Sequence, residues 1–327
     1  MTPPIKLGAL HDFHDYEHTG DEEFLDAVLS GLSKPEKKLP CKFFYDETGS
    51  QLFDRICELE EYYPTRTELA LLNDKVHEIA EFVPPGSVLV EFGSGSSVKV
   101  RILLESVPGL DTYVPIDISR EHLMTSAQAL ADDFKDYVVV PLCADFTKHF
   151  DPPDSMPTGT MMMGFFPGST IGNFTPAEAV RFLGWKAEFL GSGGTLLIGV
   201  DLKKDEKILH AAYNDRAGVT AAFNLNLLTR INRELGGDFD TESFEHEAVY
   251  DPDKGCVDLY LVSTRLQAAQ VDGTRFVFEQ GERIHTESSY KYHMDEFQTL
   301  AHNAGFTSLK SWSDEKDLFS IHLLKVN

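Results

Sequence analysis

The stretch Leu89-Val90-Glu91-Phe92-Gly93-Ser94-Gly95-Ser96-Ser97-Val98-Lys99, written LVEFGSGSSVK, ends an apolar run with an acid and two glycines. The run SVLVEF (87–92) reads as a strand, and residues 98–107 read as a helix. Glycines between a strand and a helix let the backbone approach a ligand in the crevice beyond the strand ends. The third glycine of GxGxxG is missing, because Val98 stands in its place. A dinucleotide pyrophosphate site is therefore disfavoured.

Moving outward from this loop, short apolar strands alternate with amphipathic helices. TYVPID (112–117), YVVVPLCAD (137–145), TGTMMMGFF (158–166) and GTLLIGVD (194–201) read as strands. HLMTSAQALADDF and PAEAVRFLGWKAEFLG (176–191) read as helices between them, and upstream helices are expected over 21–33 and 65–82. Alternation at this spacing predicts a parallel sheet with helices on both faces. After Asp201 the rhythm changes. KKDEKILHAAYNDRAG and TAAFNLNLLTRINREL look helical, SFEHEAVYD and KGCVDLYLVSTRL look like an antiparallel pair, and FVFEQGERIHTESS adds extended chain. MDEFQTLAHNAGF and DLFSIHLLKV then return to helix and strand, so an insertion is expected to interrupt the sheet and the C-terminal segment to complete it.

Composition narrows the function. The 327 residues are 42% hydrophobic and 25% charged, a globular balance. A formal net charge of −24 argues against a general nucleic-acid partner, since phosphate neutralisation needs clustered Lys and Arg. Small cationic or zwitterionic ligands fit better. No apolar run reaches the roughly 18 residues of a membrane span. The opening MTPPIKLGALHDFHDYEH lacks the pattern of a secretory signal, so a cytoplasmic protein without membrane partners is expected, and nothing demands more than a monomer. Cys41, Cys57, Cys143 and Cys256 form no CxxC pair and read as buried thiols. His11, His14 and His18 would share one face of a helix. The acidic segment has no clear helical pattern, so a solvated or lightly packed terminus is expected and no metal. Met161-Met162-Met163 reads as core, and His285 and His293 as structural.

The E-x-G-x-G form of the loop is similar to the first motif of class I S-adenosylmethionine (SAM) methyltransferases, where it faces a sulfonium amino acid and a nucleoside. Asp117 closes the second strand, where a carboxylate can accept ribose hydroxyls, and Asp145-Phe146 closes the third, where an acceptor and a ring could hold adenine. Any one such acid reads equally well as a helix cap. Three consecutive strand ends carrying acids favour SAM over a nicotinamide cofactor. The stretch FFPGSTIGNF (165–174) could by itself cradle phosphate, hold an amino-acid head group or make a turn. Its place after the fourth strand, downstream of a SAM-type loop, favours the head group, with Asn173 offering both a donor and an acceptor. Tyr45, Tyr62 and Tyr63 cluster outside the sheet strands. They suit either a polar-edged aromatic wall or plain packing between elements.

FYDETGSQLFDRICELEEYYPTRTE, EFGSGSSVK, FFPGSTIGNF, AYNDRAGVTAAFN and IHTESS, in this order, resemble the histidine Nα-trimethyltransferases of ergothioneine biosynthesis from about Leu39 onward. The resemblance implies a Rossmann-like, mostly parallel SAM-binding domain over 66–203 and 291–327, and an α+β substrate-binding domain over 10–65 and 204–290. It implies that Gly93, Lys99, Asp117, Asp145 and Phe146 contact SAM. Tyr62, Asn173 and Tyr213 would hold the carboxylate and amine of histidine, and Glu287 and Ser289 its imidazole. Tyr45 would sit near the amine as a participant in catalysis, and Leu259 would line the pocket.

Only a neutral amine can attack the methyl group, so the site must favour loss of a proton from the substrate ammonium. No residue stands out as a strong base. Catalysis is expected to rest on in-line alignment, and tyrosine faces tolerate the quaternary ammonium product. Two other readings compete. A methyltransferase of this fold could act on another amino acid such as a tryptophan derivative, which Glu287 opposes because a carboxylate against an indole is costly unless it meets the N–H. A non-catalytic SAM-binding sensor would bind the cofactor and methylate nothing.

Overall fold

The computed structural model describes residues 14–15, 20–95, 97–153, 156 and 160–327. The chain divides into two compact units, Met1–His18, Arg66–Leu202 and Tyr292–Asn327 in one, Thr19–Thr65 and Lys203–Lys291 in the other.

The first unit is built on one sheet. Its central strand, Ser87–Phe92, is buried along its whole length, as an apolar run with helices on both faces requires. Leu110–Asp117 and Leu142–Cys143 lie to one side of it, Met162–Phe166 and Thr195–Asp201 to the other, all parallel. Phe319–Val326 then pairs antiparallel with Thr195–Asp201, and Phe306–Ser313 pairs antiparallel with Phe319–Val326. The C-terminal segment thus completes the sheet after an insertion, as the change of rhythm at Asp201 implied.

Two local readings need correction. The run 137–145 is not one strand: it forms two short pieces, Val138–Val139 and Leu142–Cys143. Pro141 lies between them, and without an N–H it cannot serve a continuous ladder. His14–Asp15, expected to be loosely solvated, forms an edge strand parallel to Leu142–Cys143. His11, His18 and the side chain of His14 lie outside the described residues. All four cysteines are free thiols; Cys143 and Cys256 are buried as expected, whereas Cys41 and Cys57 are half-buried.

In the second unit the strands Phe244–Asp251, Cys256–Ser263 and Arg283–Tyr290 form an antiparallel sheet, and Lys37–Lys38 joins its edge in parallel. The helix Val219–Leu235 turns Val219, Phe223, Leu227, Leu228 and Ile231 into the same core as Phe24, Val28 and Phe44. That spacing is the amphipathic stripe read from TAAFNLNLLTRINREL. No described helix is long and apolar enough to cross a membrane.

Candidate active site

In the first unit, the glycine loop is held before any ligand arrives. The N–H groups of Gly93 and Ser94 both donate to the carbonyl of Ile116 on the neighbouring strand, at 2.8 and 3.1 Å. Gly93 has φ of +85°, and a Cβ there would stand 3.1 Å from the ring of Phe146. So two residues expected at the cofactor meet through a missing side chain, a combination that only glycine satisfies. Gly95 faces open space, and the buried Ser94 hydroxyl has no hydrogen-bond partner. An exposed backbone turn beside an orphaned hydroxyl fits a polar nucleoside ligand.

Each strand-end acid has a distinct environment. Glu91 accepts from the Tyr113 hydroxyl, and burial pushes its carboxyl up to about 8. Asp117 is also pushed up by burial, against the pull of the Ser119 N–H, which donates to it at 2.9 Å. Asp145 accepts from the N–H of Thr147 at 3.0 Å and lies 3.7 Å from the Lys148 ammonium. Close to Asp145, Lys186 is only 1% exposed, its nitrogen 4.8–5.1 Å from the ring centres of Phe92, Phe150 and Phe182. Burial lowers its pKa to about 7, with Asp145 pulling the other way.

FFPGSTIGNF closes over a carboxylate that the sequence reading passed over. Glu68, 1% exposed, accepts the N–H of Gly168 on both oxygens at 2.9–3.0 Å and pairs with Lys99 at 2.6 Å. Gly199 makes room for it: a Cβ there would come within 2.0 Å of the Glu68 oxygen. Gly168 and Ser169 take φ of +79° and +56°, and the Ser169 hydroxyl accepts the N–H of Asp201 at 2.9 Å. The chain then winds into the 3-10 turn Thr170–Asn173, leaving Asn173 half-buried at its end. Phe174 stacks on Phe182 at 4.8 Å and anchors the exit. Lys99 and the Asn173 turn are thereby tied to one buried anion.

The second unit gathers most of the residues expected at the substrate. The Tyr213 hydroxyl lies 2.8 Å from the Ser289 hydroxyl, and the Lys291 nitrogen donates to both at 2.7 Å. The motif AYNDRAG explains how Tyr213 is fixed. Asn214 bridges to the backbone of Ala248, and Asp215 accepts the N–H groups of Val219 and Thr220 at 2.9 and 2.8 Å, capping the next helix. His246 donates from Nε2 to the Tyr213 carbonyl while its Nδ1 accepts from Asn224, and burial lowers its pKa, so it stays neutral in this role.

Glu287 and Ser289 owe their direction to a bulge. Leu259 pairs with Glu287 but Tyr260 pairs with His285, so Thr286 is an extra residue in its strand. The irregularity lets His285 and Ser288, three apart, both reach Asp258 at 3.0 and 2.6 Å. Without a bulge, residues an odd number apart point to opposite faces. Glu287 and Ser289 point to the other face. There Tyr45, Phe53, Tyr62 and Tyr213 form a chain of edge-on rings with centres 5.6–6.4 Å apart. Tyr45 and Tyr62 belong to this row of rings, whereas Tyr63 does not: it is buried, with the Lys204 nitrogen 4.3 Å over its ring. Burial, and then the charge of Glu287, push the Tyr45 phenol well up; burial and several neighbours, Glu287 among them, do the same to Tyr62. Tyr45 keeps 38% of its surface open, and the upward shift favours its protonated phenol. Leu259 is buried opposite Glu287.

So Gly93 and Phe146 come together, as do Tyr213 and Ser289, with Tyr45, Tyr62 and Glu287 in one cluster. Lys99 meets Glu68 and the loop that leads to Asn173. Sequence reading missed Glu68, the last residue of the motif EYYPTRTE, and Lys291, two residues beyond IHTESS; each reads in the sequence as one more charge.

A doubly wound sheet with an acid-flanked glycine loop at its strand ends defines the Rossmann-like class of SAM-dependent methyltransferases. Within that class the chain belongs to the family described as SAM-dependent, histidine-specific methyltransferases, which matches residues 24–326. A histidine N-alpha-methyltransferase of Mycobacterium tuberculosis is 38% identical over 90% of this chain and 92% of its own length. Ergothioneine biosynthesis protein 1 of Neurospora crassa is 32% identical over 96% of this chain, which spans 36% of that protein. Among solved structures, a possible exported protein from Bordetella parapertussis shares the fold, with a TM-score of 0.50 at 12% identity over 94% of this chain and 87% of its own.

Proposed function

We propose that the chain transfers methyl groups from SAM to the α-amine of L-histidine three times, giving histidine betaine (hercynine), the first step of ergothioneine biosynthesis. The family match over nearly the whole chain carries this reading. In it, Arg66–Leu202 and Tyr292–Asn327 bind SAM, and Thr19–Thr65 and Lys203–Lys291 bind histidine. Gly93, Asp117, Asp145, Phe146 and Lys99 hold the cofactor. When bound, SAM supplies an electrophilic methyl on a sulfonium.

The chain's own residues do the rest. Tyr62, Asn173 and Tyr213 hold the amino-acid head group, while Glu287 accepts the ring N–H of histidine and Ser289 serves the other ring nitrogen. With the Tyr45 phenol protonated, the amine proton leaves through water, and Tyr45 contributes a hydrogen bond and a ring face. Each methylation removes a donor, and an aromatic wall accepts the growing cation without needing one. A cytoplasmic monomer, with no nucleic-acid or membrane partner, fits the acidic charge and the four free thiols. A mass spectrum of L-histidine incubated with SAM and the protein tests substrate and methyl count together. Trimethylated histidine is expected; methylation of tryptophan or tyrosine instead, or of nothing, would refute the proposal.

A further inference from the structure

We propose that Lys291 is a positioning residue for the amino-acid substrate, holding the Tyr213 and Ser289 hydroxyls as one coupled donor; this rests on the substrate-binding roles proposed for those two residues. Lys291 is 1% exposed, and its nitrogen sits 4.8 Å over the Tyr213 ring. Its two bonds of 2.7 Å to hydroxyl oxygens have the length of charge-assisted bonds. Its backbone N–H donates to Gly255 at 2.7 Å, which fixes where the side chain starts.

Three atoms in mutual contact limit one another. Lys291 occupies a lone pair on each hydroxyl oxygen, and one hydroxyl hydrogen lies in the 2.8 Å bond between them. At most one O–H of the pair can then donate to a ligand. Lys291 polarises that O–H, strengthening it toward a carboxylate or an imidazole nitrogen. A buried lysine costs stability that an apolar side chain of similar length would not. Replacing it by methionine leaves the two hydroxyls still bonded to each other.

The test uses the full chain with saturating SAM and varied L-histidine. Lys291→Met is expected to raise the histidine KM about 10- to 100-fold with a kcat change of less than about threefold. SAM affinity, read by calorimetry, should stay unchanged. In a Tyr213→Phe background the same substitution should add less than about threefold, because the coupled pair it acts through is already broken. An unchanged KM, or effects that multiply in full, would overturn the assignment. If Lys291→Met lacks a cooperative thermal transition, Lys291→Gln takes its place, keeping a neutral donor; an unchanged KM there refutes the proposal equally. Failure of the unmutated protein to turn over histidine would strike the substrate reading itself, before any variant is made.

Discussion

Asn173 ends a turn whose conformation is fixed by three separate bonds, from Gly168 to Glu68, from Asp201 to Ser169 and from Gly172 to the Ser169 carbonyl. The backbone that carries its amide is therefore preorganised, which lowers the ordering cost on binding. Asn173→Ala should raise the histidine KM about tenfold, the loss of a hydrogen bond to a charged group, while SAM binding measured by calorimetry is retained. Equal loss of both ligands would instead mean that the turn had collapsed. At this scale the sequence was partly readable. Asn173 and Tyr213 stand inside specific motifs as polar groups of obvious use, whereas Glu68, though it ends EYYPTRTE, and Lys291 are ordinary charged residues until burial and partners are known. A lone Glu or Lys in a sequence reads as solvated surface.

Among the elements, what sets the site is how helices begin and where one strand is irregular. The strand–helix alternation was legible because apolar periodicity is local. The break at Pro141 is marked in the sequence by the proline itself, whereas the extra residue at Thr286 is not legible there, since a bulge depends on the partner strand's register. Asp215 does two jobs at the start of Val219–Leu235: it caps the helix and ends the turn that carries Tyr213. Asp215→Ala should cost about 1–2 kcal/mol of stability in urea unfolding. It should also raise the histidine KM while leaving SAM affinity alone. A stability loss with an unchanged histidine KM would show that the cap does not hold Tyr213 in place.

For the whole molecule, buried charges set the pH range of stability. Glu91 rises from 4.5 to about 8 on folding, so the folded state holds the proton more tightly. Its contribution is full below pH 4.5 and is lost as pH rises through about 8. His322 falls from 6.5 to about 4 through burial, so its contribution is present above 6.5 and lost as pH falls through about 4. Glu91→Gln should therefore match the unmutated protein in acid and exceed it above pH 8, by on the order of a few kcal/mol. Thermal midpoints from pH 5 to 9 would check this; a constant difference between the two would contradict it.

The interleaved order of the two units also dictates a timetable during synthesis. The segment bearing Phe24, Val28 and Lys37–Lys38 is made first, but its partners Leu261 and Ile284 are made only after Leu202. The sheet begun at Ser87–Phe92 in turn waits for Phe319–Val326 to cover the edge of Thr195–Asp201. Domains that fold from the N-terminus as the ribosome releases them complete one body before starting the next. Here the segments of the two bodies alternate along the chain, so neither can be completed before the other is well under way. The nascent chain carries an unsatisfied apolar segment through most of its elongation, which makes early release or truncation a more serious hazard than a single substitution.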